Sequence, residues 1–163
     1  MSAELILFEE EYERIHDAIS RLKRDANALS VYMIEKSGQQ IAAVGHVDEI
    51  DATALASLSA GNVAATEGLA RLVGEREFSS LFHEGEHQNI HITVVGGRVI
   101  LLVVFDETSS LGLVRLRVRK ATGELTEIME MVKSKAAAGV VSGGHDSPFA
   151  EITDEDIDNL FAD

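Results

Sequence analysis

Two histidines enclose two glutamates and a glycine in the segment His83-Glu84-Gly85-Glu86-His87, which has the pattern H-E-x-x-H with Glu84 as its glutamate. On a helix this spacing places both imidazoles on one face to bind zinc, while the glutamate activates water. His91 is a third candidate ligand. Gly85, however, disfavours a helix, and the following residues alternate as a strand does. The extended metzincin pattern also fails, because Ile90 and Thr93 stand where it requires glycine and histidine. A turn between strands is therefore favoured over a zinc site, and no metal is predicted.

The sequence lacks the other common catalytic signatures. It contains no G-x-x-x-x-G-K-[ST] phosphate loop, no G-x-S-x-G nucleophile elbow and no cysteine. The absence of cysteine excludes disulfides, thiolate zinc sites and a cysteine nucleophile, and it is typical of a reducing cytoplasm. We therefore predict no catalytic residues and no cofactor, and an enzyme is not expected.

The charge balance limits the kinds of partner. The 163 residues include 28 Asp and Glu against 14 Lys and Arg, a net charge of −14. So acidic a protein is repelled by nucleic-acid phosphates and anionic lipids, so neither nucleic acid nor a membrane is predicted as a partner. The longest apolar run, Val99–Phe105, is too short to span a bilayer. These features predict a cytoplasmic protein.

The spacing of apolar residues predicts three helices that would position the candidate functional residues. Steps of three and four indicate one helix over about residues 8–26, a second from Asp51 to near Gly74, and a third after Ser110. The start of the third is left open, because residues 114–119 also alternate as a strand would.

Alternating segments between these helices predict the strands. Residues 31–44 and 90–105 each form a hairpin around a glycine-containing turn, and residues 78–82 form a short strand. The unbroken apolar run at the end of the second hairpin predicts a central strand buried on both faces. The order helix-strand-strand-helix-strand-strand-strand-helix predicts an α/β sandwich, a five-stranded, mostly antiparallel sheet flanked by helices.

Two stripes run along the predicted second helix. One is mainly leucine and is expected to pack against the sheet: Leu55, Leu58, Ala65, Leu69 and Leu72. The other lies about 100° around the axis and is almost bare of side chains: Ala54, Ser57, Gly61, Ala64, Gly68 and Arg71. Small residues let another backbone approach closely, although each glycine costs a helix about 1 kcal/mol. The pattern leaves open whether that backbone belongs to the same domain or to a partner.

A basic run, Arg115, Arg117, Arg119 and Lys120, opposes the overall charge. It is either a docking patch or a solvated helix face, and the solvated face is the commoner outcome.

The end of the sequence has a different composition. Small residues and glycines over 136–148 predict a flexible linker, and after Lys135 there are seven acidic residues but no Lys or Arg. A capping-box-like pair, Thr153 and Asp156, opens a short amphipathic segment that contains Ile157, Leu160 and Phe161. This acidic tail, residues 149–163, either solubilises the protein or folds on a partner.

Three segments together resemble the Roadblock/dynein light chain superfamily, and in particular its bacterial gliding-motility regulators. They are the helical stretch Leu55–Ala65, the strand end Val103–Asp106 and the segment Ser110–Leu116. The resemblance extends over residues 4–135 and includes the tail over 147–161. Residues 1–135 are identified on this basis as a Roadblock domain.

The resemblance implies a homodimer whose sheets join edge to edge and whose second helices lie together. This dimer is a platform for a Ras-like small GTPase, whose hydrolysis it activates by shifting the GTPase's own switch and catalytic residues. By position, Ala64 and Gly68 face the GTPase, with Gly61, Arg71 and Lys120 expected beside them and Ile157, Leu160 and Phe161 as tail contacts. The implied role is control of front-rear polarity and motility from a cell pole. The alternative is a Roadblock scaffold that holds a GTPase without stimulating hydrolysis.

Overall fold

The computed structural model describes residues 7, 9–48 and 50–142. They form three helices and one five-stranded sheet, which confirms the predicted fold and element order. The elements are α1 (Glu9–Asp25), β1 (Ser30–Glu35), β2 (Gln40–Gly45), α2 (Ala52–Leu72), β3 (Ser80–Glu84), β4 (Gln88–Val95), β5 (Val99–Asp106) and α3 (Leu111–Ser142). The third strand lies two residues later than the segment predicted for it.

The sheet has the strand order β2-β1-β5-β4-β3, and every neighbouring pair is antiparallel. Strand β5 is therefore central, and Val99–Phe105 is buried along its whole length, as predicted. One face of the sheet packs against α1 and α3, and the other face packs against α2. The sheet thus separates two apolar cores.

Glycines form the two tight turns between β3, β4 and β5. Gly96 and Gly97 have φ values of +61° and +70° in the three-residue turn between the paired residues Val95 and Val99, and glycine adopts these left-handed values without strain. A Cβ added to Gly85 would lie 2.3 Å from the carbonyl oxygen of Gln88. The centre of the H-E-x-x-H segment is therefore a tight turn, as the sequence favoured, and not a helix.

Side-chain caps define where α2 and α3 begin. The Ala54 amide donates to Asp51 Oδ1 at 3.1 Å, and the Leu113 amide donates to Ser110 Oγ at 3.2 Å. The second cap places the basic run on a helix and removes the strand alternative. At the other end of α2, Gly74 turns the chain away with a φ of +80°.

Helix α3 is longer than predicted. It continues to Ser142, so the first seven residues of the predicted linker, 136–142, are helical and the expectation of a flexible segment there is wrong. Three consecutive alanines, the best helix formers, explain the extension. Residues 143–148 and the acidic tail lie outside the described residues.

Candidate protein-binding surface

Helix α2 contacts the sheet through small side chains. Ala56, Ser59, Val63 and Ala70 are buried, and they recur at the spacing of one helical face. The sheet opposes them with larger side chains, Tyr32, Ile34, Ile100, Leu102 and Val104. Small residues on the helix and large ones on the sheet fill the space between them.

Polar contacts fasten the two flanks of α2. Lys36 Nζ lies 2.5 Å from Glu67 Oε1 and joins the helix to the β1–β2 hairpin. Asn62 Nδ2 donates to His83 Nε2 at 3.2 Å and joins the helix to β3. These contacts lie at the edges of the interface between α2 and the sheet and are consistent with the face that the packing of small side chains buries.

The leucine stripe faces away from the sheet. Leu58, Leu69 and Leu72 are 73%, 58% and 83% exposed, and only Leu55 packs partly against the core. The prediction that this stripe packs against the sheet is therefore wrong. The helix is apolar around most of its circumference, with only Glu67 and Arg71 charged, so periodicity alone could not select the inward face.

The small-residue stripe is also open. Gly61 and Ala64 are exposed and Gly68 is half-buried. A Cβ added to Gly61 or Gly68 would meet no atom within 4 Å. The alternative that this stripe packs within its own domain is therefore wrong for the described part of the chain.

The two stripes together form one continuous surface, which we call the outer face of α2. It consists of Leu58, Gly61, Ala64, Ala65, Gly68, Leu69 and Leu72. Exposed apolar patches of this kind are uncommon on monomers and mark interaction sites. The composition of α2 could have identified the exposed leucines. A helix that is apolar around its whole circumference is buried on more than one side, so it has an apolar face beyond the one that contacts the sheet.

The structure brings some of the predicted contact residues together and separates others. Gly61, Ala64, Gly68 and the exposed Arg71 share one side of α2. Lys120 lies on α3, which covers the opposite face of the sheet, so one chain does not present it beside the α2 residues. The tail residues Ile157, Leu160 and Phe161 lie outside the described part of the chain.

The histidines of the H-E-x-x-H segment do not converge. Residue His83 pairs with Ile90 across the β3–β4 ladder and contacts α2, whereas His91 pairs with Phe82 and is buried on the α1/α3 side. Among residues 7, 9–48 and 50–142 no three metal-ligating side chains come close enough to hold an ion. Within the same residues, no helix combines the length and apolar character needed to cross a membrane.

Hydrogen-bonded charged groups hold α1 and α3 in place. The Lys135 ammonium pairs with Glu11 and lowers the pKa of that carboxyl, while Glu124, 2.5 Å from Arg21, raises the pKa of the guanidinium. Near the start of α3, hydrogen bonds from Thr108 lower the pKa of Asp106. The first two pairs join α1 to α3, whereas Asp106 and Thr108 lie in the segment that leads from β5 into α3.

The sheet leaves the outer face of α2 uncovered, and comparison with known proteins identifies the family of this domain. Residues 14–105 match the Roadblock/LC7 domain. The chain belongs to this family, which is a family of regulatory domains.

Solved structures of MglB proteins are similar to this chain over most of its length. Myxococcus xanthus MglB is 52% identical, with a TM-score of 0.75 over 78% of this chain and 96% of that one. The gliding protein MglB from Thermus thermophilus is 32% identical, with a TM-score of 0.73 over 80% and 99%. A structure described as MglB with tetrameric arrangement is 31% identical, with a TM-score of 0.74 over 81% and 99%. Comparison with curated protein sequences gave no match.

Proposed function

We propose that this protein is a homodimeric regulator that binds a Ras-like small GTPase of the MglA type and accelerates its GTP hydrolysis. The observation that carries the proposal is the exposed outer face of α2, in a chain that is 52% identical to Myxococcus xanthus MglB. In the cell, this activity would control polarity and motility, with the protein concentrated at a pole.

Two features support the homodimer. Strand β3 is an edge strand, so one side of its backbone has no strand partner within the sheet. Helix α2 crosses the same sheet and exposes Leu58, Leu69 and Leu72. If two sheets join at β3 and the two α2 helices lie together, as the resemblance implies, their leucines cover each other.

The small-residue stripe supports the GTPase site. Once the leucines are covered by the second protomer, Gly61, Ala64 and Gly68 remain as a shallow strip on which a partner's backbone can lie. Arg71 stands at the end of this strip as an exposed cation. Lys120 lies on α3, on the opposite face of the sheet. It would reach the GTPase either from that face of the same protomer or from the second protomer.

Activation would come from the GTPase's own residues. This chain has no phosphate-binding loop, and its described residues hold no metal-ligating cluster, so its contribution is to hold the partner's switch segments in the hydrolytic arrangement. The competing route is an inserted arginine, which is worth about 10³ to 10⁵ in rate. Replacing Arg71, Arg76, Arg115, Arg117 and Arg119 singly by alanine is expected to weaken binding moderately and to leave turnover at saturation intact.

The decisive experiment measures phosphate release by the cognate GTPase under multiple turnover. The wild-type protein is expected to accelerate release, whereas Ala64→Arg with Gly68→Arg abolishes both acceleration and binding, because two long cations fill the strip. The matched control is Gly112→Arg with Ala137→Arg, which adds the same charges on α3, away from both the strip and Lys120. Binding without acceleration by the wild type would establish the scaffold alternative, and loss of binding in the control would contradict the site.

A further inference from the structure

A polar groove lies on the opposite side of the sheet from α2. It runs between α3 and the β3–β4 edge and has a volume of about 600 Å³. Arg115, Arg119 and Thr122 line its helical wall at one-turn spacing, and His91 and Thr93 line its strand wall. We call this the arginine groove. Its size is within the usual range of small-molecule sites.

The two arginines of this groove have no acidic partner. Neither Arg115 nor Arg119 forms an ion pair with any residue the structure describes, although the chain carries 28 acidic residues. Like charges four residues apart on a helix repel each other. A bound anion would remove that repulsion.

A buried histidine in the same groove has an unused polar atom. The side chain of His91 is 2% exposed, and its Nδ1 atom has no hydrogen-bond partner among the described residues. Burial, together with the charge of Arg115, lowers the pKa of the ring, so the imidazole is neutral at pH 7. Because Nδ1 itself is buried, it does not contact the groove, and the ring of His91 contributes shape to the inner wall and not a hydrogen bond.

The groups of the groove are matched to one kind of anion. Two guanidiniums offer forked donors and two positive charges, and hydroxyls from Ser79, Ser80 and Thr93 add further donors, whereas the Thr122 hydroxyl already donates to the Val118 carbonyl. A carboxylate carries one charge and two oxygens, enough for one guanidinium. A phosphate group carries close to two charges at neutral pH and three or more acceptor oxygens. Glu77, the single acidic residue of the lining, opposes this charge at the rim.

We propose that the arginine groove binds a phosphate group, either free or carried by a small ester. Arg115 and Arg119 hold its oxygens, and His91 occupies the inner wall. The site is separate from the outer face of α2, because the sheet lies between them. Ser80 belongs to β3, the edge at which the proposed dimer joins, so the groove adjoins the second protomer in that dimer.

Calorimetric titration of the full-length protein tests this site, with inorganic phosphate, ribose 5-phosphate and acetate as probes at constant ionic strength. Saturable binding of a phosphate probe and none of acetate is expected. Arg115→Gln with Arg119→Gln should weaken binding at least about tenfold, since hydrogen bonds to charged groups are lost. Glu77→Gln should strengthen it. If ribose 5-phosphate binds more tightly than inorganic phosphate, the preferred ligand is a phosphate ester. If the two bind equally, the ligand is the free phosphate anion.

The control removes the same charge from the same helix outside the groove. Arg117→Gln with Lys120→Gln lowers the net charge equally, but neither residue lines the groove, so binding should be retained. A second readout is the NMR signal of the His91 ring, which should shift with added phosphate while that of His16 on α1 does not. No saturable phosphate binding, equal binding of acetate, equal losses in both double variants, or an unmoved His91 signal would each overturn the proposal.

Discussion

Helices α2 and α3 lie on opposite faces of one sheet and differ in the size of the side chains that they bury against it. Helix α3 buries large side chains, including Leu125 and Ile128, and exposes charged ones. Helix α2 buries small side chains and exposes leucines. The core beneath α3 is therefore complete within one chain, whereas α2 carries exposed apolar surface, which the proposed function assigns to a second molecule. The direction of the leucines, rather than their number, distinguishes a structural helix from a binding helix.

The largest expected effect comes from exchanging leucine for alanine on the two helices. Leu125→Ala on α3 should lower the free energy of unfolding by about 2–5 kcal/mol, because it leaves a cavity. Leu58→Ala on α2, measured at a concentration where the protein is monomeric, should change it by about 0.5 kcal/mol or less. Urea unfolding of both variants makes the comparison. Equal losses would show that Leu58 is packed inside the monomer.

The next effect concerns association. Leu58→Ser with Leu69→Ser should raise the dimer dissociation constant by at least about tenfold while the monomer stays folded, since each buried leucine contributes about 1.5–3 kcal/mol. Analytical ultracentrifugation over a concentration series measures the constant, and circular dichroism checks the fold. Leu116→Ser, which replaces an exposed leucine on α3, is the control. An unchanged constant for the α2 variant would refute the α2 dimer.

A smaller effect should depend on pH. The carboxyl of Glu11 has a lowered pKa in the folded protein, so its pairing with Lys135 stabilises the fold above the unfolded pKa of about 4.5 and is lost as pH falls through the folded value. The raised pKa of Lys135 sets the upper limit, above the ordinary value of 10.5. Lys135→Met should therefore lower the urea midpoint at pH 7, and the difference from wild type should shrink below about pH 4.5.

The control for this pair is Lys133→Met, an exposed lysine on the same helix. It should leave the midpoint nearly unchanged both at neutral pH and in acid. If the Lys135→Met difference were the same at about pH 3 as at about pH 7, the Glu11 pairing would not be its cause.

The smallest expected effect is that of the acidic tail. Leu160→Ala with Phe161→Ala should weaken GTPase binding about threefold to tenfold at low salt and less at high salt, because a tethered segment adds to the affinity of a partner that is already docked. Titration of the labelled GTPase at two salt concentrations measures both values. Unchanged affinity at low salt would identify the tail as a solubilising segment.

Most of the fold follows from patterns within short windows of sequence. Asp51 and Ser110 cap helices because a side-chain oxygen can reach an amide three residues away, and Gly96-Gly97 forms a hairpin turn because both residues adopt positive φ. The predicted start of the linker at residue 136 is wrong. The alanines there continue α3, although the glycines and serines that follow are typical of a linker. The small-residue stripe was found for the same local reason, since its spacing lies within one helix.

The direction of α2 was decided only by the tertiary structure. Apolar and small residues occur around most of its circumference, so its sequence permits several inward faces. The choice depends on the shape of the sheet, where Tyr32 and Leu102 leave room for Ala56 and Val63 but not for a row of leucines. The arginine groove has the same origin, because Arg115 and His91 meet only when α3 packs beside β4. The sequence by itself determined the elements and their order through local interactions, whereas the tertiary structure selected the exposed surfaces through contacts between distant segments.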